Sequence, residues 1–195
     1  MGSSFLFVTN SVLLGIGLAA DAFSVSVVNG TADTNMKSKK AFLIAGTFAL
    51  FQALMPLTGW FMSSKLISGF TFLKKFVPVV SQVLLMYLGM KIIVDGVEDR
   101  PDDDGNSELD LKTLFVQAFA TSVDALMAGL TIAEYGFVMA LVCSCIIAAV
   151  TFVICFVGVH LGRGLGMKLL GKATLFGGLM LIFIAIENFI RTFFI

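Results

Sequence analysis

The stretch LGIGLAADAFSVSVVNG, residues 14–30, decides how this chain is read. It is an apolar run of helical length with one carboxylate, Asp21, set well inside it. A charge at that place faces either lipid or packed apolar side chains, and both disfavour it. The rest of the chain says which solvent applies and what stabilises the charge.

Of the 195 residues, 58% are hydrophobic and only 13% charged. Ordinary soluble domains are about 45–50% apolar and about 25% charged. The mean hydropathy of +0.99 points the same way, to a membrane protein. Formal net charge is zero, so no basic surface speaks for nucleic acid. Cys143, Cys145 and Cys155 share one apolar stretch, and Cys143 and Cys145 do not face each other on a helix. They are read as small buried hydrophobes rather than a disulfide framework. The N-terminal segment is expected to be retained, because a secretory signal needs early basic residues and the first here is Lys37.

A span needs about 20 predominantly apolar residues. Six candidates meet that need, at 5–28, 41–63, 77–97, 113–133, 137–161 and 173–190. The longest polar connection, EDRPDDDGNSELDLK (98–112), is acidic and holds Pro and Gly, so a flexible loop is expected there. The expected organisation is an all-α membrane protein: a three-helix repeat over 1–97, an acidic cytoplasmic loop over 98–112, and a second three-helix repeat over 113–195. The connections after spans 1, 3 and 5 carry Lys37, Lys39, Lys40, Arg100, Lys112, Arg163, Lys168 and Lys172. The opposite side has only Lys65, Lys74, Lys75 and Arg191. The positive-inside rule makes the richer side cytoplasmic and puts both termini outside.

The halves resemble each other. ADAFSVSV (20–27) in span 1 answers VDALMAGL (123–130) in span 4, and PLTGW (56–60) in span 2 answers FVGVH (156–160) in span 5. With three spans per half, the second half must be inverted relative to the first, as in many secondary transporters. Asp21 and Asp124 then both fall toward the middle of the bilayer. A carboxylate at a helix centre costs roughly 2.5–3.5 kcal/mol on insertion scales, and no Lys or Arg lies at similar depth.

The neighbours explain the expense. Gly17, Asp21, Ser24 and Val28 form one stripe of span 1, and Gln117, Thr121, Asp124 and Ala128 the equivalent stripe of span 4. In span 2, Gln52 lies one turn before Pro56, which frees a backbone carbonyl. Carboxylates, amide oxygens, hydroxyls and freed carbonyls form an oxygen-donor set suited to hard divalent cations such as Mg²⁺, Ca²⁺ and Mn²⁺. The candidate ion ligands are Asp21 and Asp124 first, then Gln52, Thr121, Ser24 and Gln117. For these last four, back-bonding or helix–helix bonding competes with ligation. The aspartates themselves have two other readings, as hydrogen-bonded links between helices or as carboxyls protonated at rest. Glu187 is read as pairing with Arg191 at helical spacing, and His160 as a structural residue at a span end. Ten scattered Met residues without Met-x-x-Met pairs do not support a copper site.

ADAFSVSV, ATSVDALMAGL (120–130) and FQALMPLTGW (51–60) closely resemble the manganese efflux pump family (MntP-like) of the lysine-exporter superfamily, over essentially the whole chain. The resemblance implies a small inner-membrane exporter of Mn²⁺, with Asp21 and Asp124 needed for transport. It also implicates the second-span polar position, which is Gln52 here where some relatives have Glu. Glu187 is not part of the family pattern. The expected function is export of Mn²⁺ by alternating access, coupled to protons or membrane potential, with the ion as cargo and no resident cofactor. No ATP-binding G-x-x-x-x-G-K-[ST] motif, nucleophile–base pair or His cluster occurs in the spans, so an enzyme is not expected. Alternatives are export of another divalent metal or a cationic amino acid, and a non-transport membrane assembly subunit.

Overall fold

A computed structural model describes residues 2–33, 35–65, 111–132 and 134–169, with isolated helical positions at 79, 83, 86, 87, 90, 93, 94, 179, 182 and 186. The described segments are four long helices: α1 (Gly2–Ala32), α2 (Ser38–Lys65), α3 (Leu111–Thr131) and α4 (Phe137–Leu169). All four are long and apolar enough to cross a membrane. Their outer faces carry large apolar side chains such as Leu13, Ile16, Leu50, Leu54, Val153 and Val157, all exposed. Water would make such a surface unfavourable, whereas lipid matches it, and a helix satisfies its own backbone there. The chain is a multi-pass membrane protein.

The helices overrun the apolar segments that define the expected spans. Leu111 and Lys112, placed in the acidic loop by composition, are the first residues of α3. The 33 residues of α4 amount to about 50 Å of helix against a hydrocarbon core of about 30 Å. Its last turns, with Arg163, therefore reach past the apolar layer. Of the expected spans 77–97 and 173–190, only the isolated positions named above belong to the described residues, and Glu187 lies outside them.

The helix directions can be read from the close contacts. Gly15 of α1 meets Ile147 and Val150 of α4, Phe23 and Ser26 meet Gly158, Val27 meets Gly162, and Gly30 meets Val159 and Arg163. Residue numbers rise together, so α1 and α4 run parallel. In the same way Phe51 of α2 packs edge-on against Phe115 and Phe119 of α3, while Gly59 meets Leu126 and Gly129 further along. So α2 and α3 are also parallel. The α2–α4 pair is antiparallel, with Phe42 on Phe152 and Trp60 on Phe137.

The two parallel pairs touch through glycine. A Cβ at Gly30, Gly59, Gly129 or Gly162 would run into the carbonyl of Val159, Leu126, Pro56 or Val27 respectively. Small residues at helix–helix contacts let backbones approach where no hydrophobic force drives association. One correspondence stands out: Gly59 meets residues 126 and 129, and Gly158 meets residues 23 and 26. Counted from Asp124 and Asp21, those neighbours occupy the same positions.

The buried apolar side chains fall into two clusters. The first takes Ala22 and Val25 of α1, Ile44, Ala45 and Phe48 of α2, Leu114 and Ala118 of α3, and Cys155 and Val159 of α4, closed by Met36 in the α1–α2 turn. The second gathers Ala140, Cys143 and Ile147 of α4 with Ile132, Trp60, Leu14 and Leu18. Between them every helix changes character.

Candidate functional site

Each helix supplies a polar residue where the two apolar clusters part. In α1, Asp21 lies between Leu18 of one cluster and Ala22 of the other. In α2, Gln52 follows directly on Phe51 and precedes Trp60 by two turns. In α3, Thr121 and Asp124 fall between Ala118 and Ile132, and in α4 Thr151 falls between Ile147 and Phe152. The protein thus has a polar layer sandwiched between two apolar cores.

The depth of the carboxylates follows from one hydrogen bond. Asn29 of α1 donates through Nδ2 to Oε1 of Gln117 in α3, at 2.8 Å and buried. From that contact Asp21 lies about 12 Å back along α1, and Asp124 about 10 Å forward along α3. The chain leaves α1 on the side where α3 begins, so these displacements point the same way. Asp21 and Asp124 therefore sit at nearly the same depth, and both are half-buried.

Gln52 is fully buried, and its amide has a defined orientation. Nε2 donates to the backbone carbonyl of Leu18, one turn before Asp21, at 2.8 Å. Only the nitrogen end can donate, which fixes the other end as oxygen. That oxygen, Oε1, is buried and has no hydrogen-bond partner. Pro56, inside α2, has no N–H to offer the Gln52 carbonyl one turn earlier. Gln52 thus brings an acceptor oxygen into the layer, with its donor end already committed to α1.

The other candidates divide. Ser24 donates to the Ala20 carbonyl at 3.1 Å and Thr121 to the Gln117 carbonyl at 3.0 Å, so both hydroxyl protons are held by their own helices. Each oxygen keeps a lone pair for a cation. Gln117 has its Oε1 engaged by Asn29, which makes it a bond between α1 and α3 in this arrangement. Ser122 back-bonds to Ala118 and is fully buried. Among the described residues nothing lies within reach of a Cβ at Gly17, so none of the four helices approaches there.

Features with bland readings keep them. His160 is exposed, with Nδ1 2.9 Å from the Phe156 carbonyl of its own helix. Cys143, Cys145 and Cys155 are free thiols. An open groove lined by Leu54, Leu57, Thr58, Trp60, Phe61, Phe137 and Leu141 is apolar and stands clear of the layer. Among the described residues no three His, Cys, Asp or Glu side chains gather. The donor set of the layer is therefore two carboxylates with neutral oxygens.

Two residues escaped the sequence reading. Asn29 sits a turn from the end of the apolar run, where polar residues are commonplace, so nothing marked it as half of a buried pair. Thr151 is one of two hydroxyls, with Ser144, in the most apolar helix. The available signal was internal: aligning Gly59 with Gly158 sets Gln52 over Thr151.

The family model described as "Putative manganese efflux pump" matches residues 35–189. A protein of Crocosphaera subtropica named "Putative manganese efflux pump MntP" is 38% identical over 189 residues, covering 93% of this chain and 97% of its own length. Proteins with the same name from Clostridium botulinum and Methanosarcina mazei are 36% and 39% identical, over 92% and 93% of this chain and 92% and 94% of their own lengths. No solved structure matches. The chain belongs to the MntP family of manganese efflux pumps.

Proposed function

We propose that the protein exports Mn²⁺ from the cytoplasm across the inner membrane as a secondary transporter, with Asp21 and Asp124 as the central ligands. The observation that carries this reading is the polar layer. In its support, Asp21 and Asp124 come at nearly the same depth along their helices, and Gln52, whose Oε1 is buried and unpartnered, donates to the Leu18 carbonyl one turn before Asp21. Mn²⁺ is a hard cation that takes oxygen ligands, and its double charge balances two carboxylates. Neutral amide and hydroxyl oxygens complete the coordination without adding charge. Thr121 and Ser24 supply such oxygens in this reading.

The architecture we infer is six spans in two inverted three-helix repeats. In its support, α2 and α3 run parallel, so the end of α2 and the start of α3 come at opposite ends of the helix pair. The parallel pairs α1–α4 and α2–α3 relate the first two helices of each half by exchange, and their glycine contacts match. Such an arrangement suits alternating access: the halves rock about the layer, and each apolar core in turn closes one side. With the ion released, the carboxylates take up protons or the membrane potential returns the empty site. The basic residues around the α1–α2 turn and the start of α3 make that side cytoplasmic. The reading involves no chemical step and no resident cofactor, so the protein is a carrier rather than an enzyme.

Manganese tolerance and cellular manganese content, measured in a host lacking its own exporter, test the proposal. Expression should raise tolerance and lower content, and Asp21→Asn or Asp124→Asn should abolish both effects at normal membrane abundance. Normal export by either variant overturns the site. Unchanged manganese with export of another metal or of lysine overturns the substrate.

A further inference from the structure

We propose that Thr151 supplies a further oxygen to the transported ion, from the α4 side of the layer that holds Asp21, Gln52 and Asp124. The inference rests on the reading that the ion stops at the two aspartates, and it adds the one described helix that this reading leaves without a ligand.

The first observation is an unmade bond. Thr9, Ser11, Ser24, Thr47, Thr58 and Thr121 each donate to the carbonyl one turn back in their own helix. Thr151 has the same helical backbone around it, yet its Oγ1 has no hydrogen-bond partner, and the residue is fully buried. A buried hydroxyl without a partner is unfavourable, and in an apolar helix back-bonding is the easy remedy. Its bonding capacity is therefore left for another group.

The second observation is position. Thr151 interrupts the apolar face of α4 where Ile147 belongs to one core and Cys155 to the other. The aspartates and Gln52 interrupt their helices at the same boundary. Ser144 also lacks a partner but follows Cys143 of the second core, and Ser26 lies in the α1–α4 contact at Gly158 with the Cys155 thiol as its neighbour.

The third is correspondence between the halves. Gly59 and Gly158 take equivalent neighbours, and two turns before each stands a fully buried residue with an unpartnered oxygen: Gln52 Oε1 and Thr151 Oγ1. Each half thus offers one carboxylate and one neutral oxygen. Four oxygens carrying two charges suit a hard divalent cation that must also leave again.

The test is Mn²⁺ transport by the purified full chain in liposomes, comparing Thr151→Val, which keeps the shape and removes the hydroxyl, with Thr151→Ser, which keeps the hydroxyl. Thr151→Val should raise KM for Mn²⁺ about tenfold, the effect of one lost ligand, with little change in maximal rate, and Thr151→Ser should restore it. If Thr151→Val transports with unchanged KM while Asp21→Asn and Asp124→Asn are inactive, the inference fails and the aspartate site stands. If all three transport normally, the underlying site fails with it. Should Val lower the amount of folded protein, Thr151→Ala and Thr151→Ser give the same contrast. Equal KM in those two overturns the inference.

Discussion

Asn29 and Gln117 form a buried amide pair at 2.8 Å between α1 and α3, joining segments 88 residues apart. It is a side-chain hydrogen bond between the first half of the chain and the second, about two turns from each aspartate. Replacing either residue by Leu leaves the other amide buried without its partner. Each single substitution should lower stability by about 1–2 kcal/mol, and the double substitution should cost less than their sum. Thermal unfolding in detergent across the four variants measures this coupling. Strict additivity would mean that the pair contributes nothing.

The glycines divide into two groups with opposite expectations. Ala at Gly30, Gly59, Gly129 or Gly162 meets a backbone carbonyl of the neighbouring helix, which can yield only by separating the helices. Each should destabilise by about 1–3 kcal/mol or more, as overpacking does. Ala at Gly17, Gly46 or Gly164 meets nothing among the described residues and should be neutral or slightly stabilising. Membrane abundance together with unfolding temperature separates the groups.

Those contacts also mark what the sequence could and could not convey. The four described helices were legible because their apolar runs exceed a bilayer's thickness, and Asp21 and Asp124 because charge at such depth is rare. The ends were misjudged where Lys112 and Arg163 belong to helices that run beyond the apolar segments; composition measures the membrane, while backbone bonding sets the helix. Gln117 was legible as a polar residue on the aspartate's face, but its partner Asn29 was not, because pairing across 88 residues depends on how helices are laid together. Thr151 was hidden for a related reason. A hydroxyl that back-bonds and one that does not look alike in sequence, and only packing distinguishes them.

Gln52 gives a test of orientation as well as identity. Its Nε2 holds the Leu18 carbonyl and its Oε1 faces the layer, so Leu at this position removes both interactions. Gln52→Leu should raise KM for Mn²⁺ by about tenfold or more. Gln52→Glu keeps an oxygen and should retain more transport than Leu, though when ionised it has no donor for Leu18. Transport assays in liposomes rank the three. Equal KM for Leu and wild type would exclude Gln52 from the site.

The ion pair between Lys40 and Asp33, at 2.8 Å across the α1–α2 turn, should matter little. Both side chains are partly exposed, where solvent screens the attraction and such pairs contribute about 0–1 kcal/mol. Asp33→Asn should leave unfolding temperature and manganese export close to wild type. A large loss would show that the turn has a role beyond connecting two helices.

The arrangement of the helices fixes which turns share a side of the membrane, and labelling can read it. The α1–α2 turn and the start of α3 lie together, because Asn29 near the end of α1 meets Gln117 near the start of α3. On the other side, Phe7 packs against Tyr135 at 5.6 Å, and Trp60 Nε1 donates to the Tyr135 carbonyl at 2.8 Å. These two contacts bring the start of α1, the end of α2 and the α3–α4 turn to one face. Lys37, Lys39, Lys40 and Lys112 lie on the first face, which the positive-inside rule makes cytoplasmic. In a variant with Cys143, Cys145 and Cys155 replaced by Ala, a membrane-impermeant maleimide applied to intact cells should label Gly136→Cys and not Asn35→Cys. Both positions are exposed, and Gly136 has space for a side chain, so neither substitution should disturb the fold. Permeabilised cells should label both. The reverse pattern in intact cells would invert the orientation and turn the proposed exporter's entry side outward, while labelling of both would contradict the crossing of α1 to α4 itself.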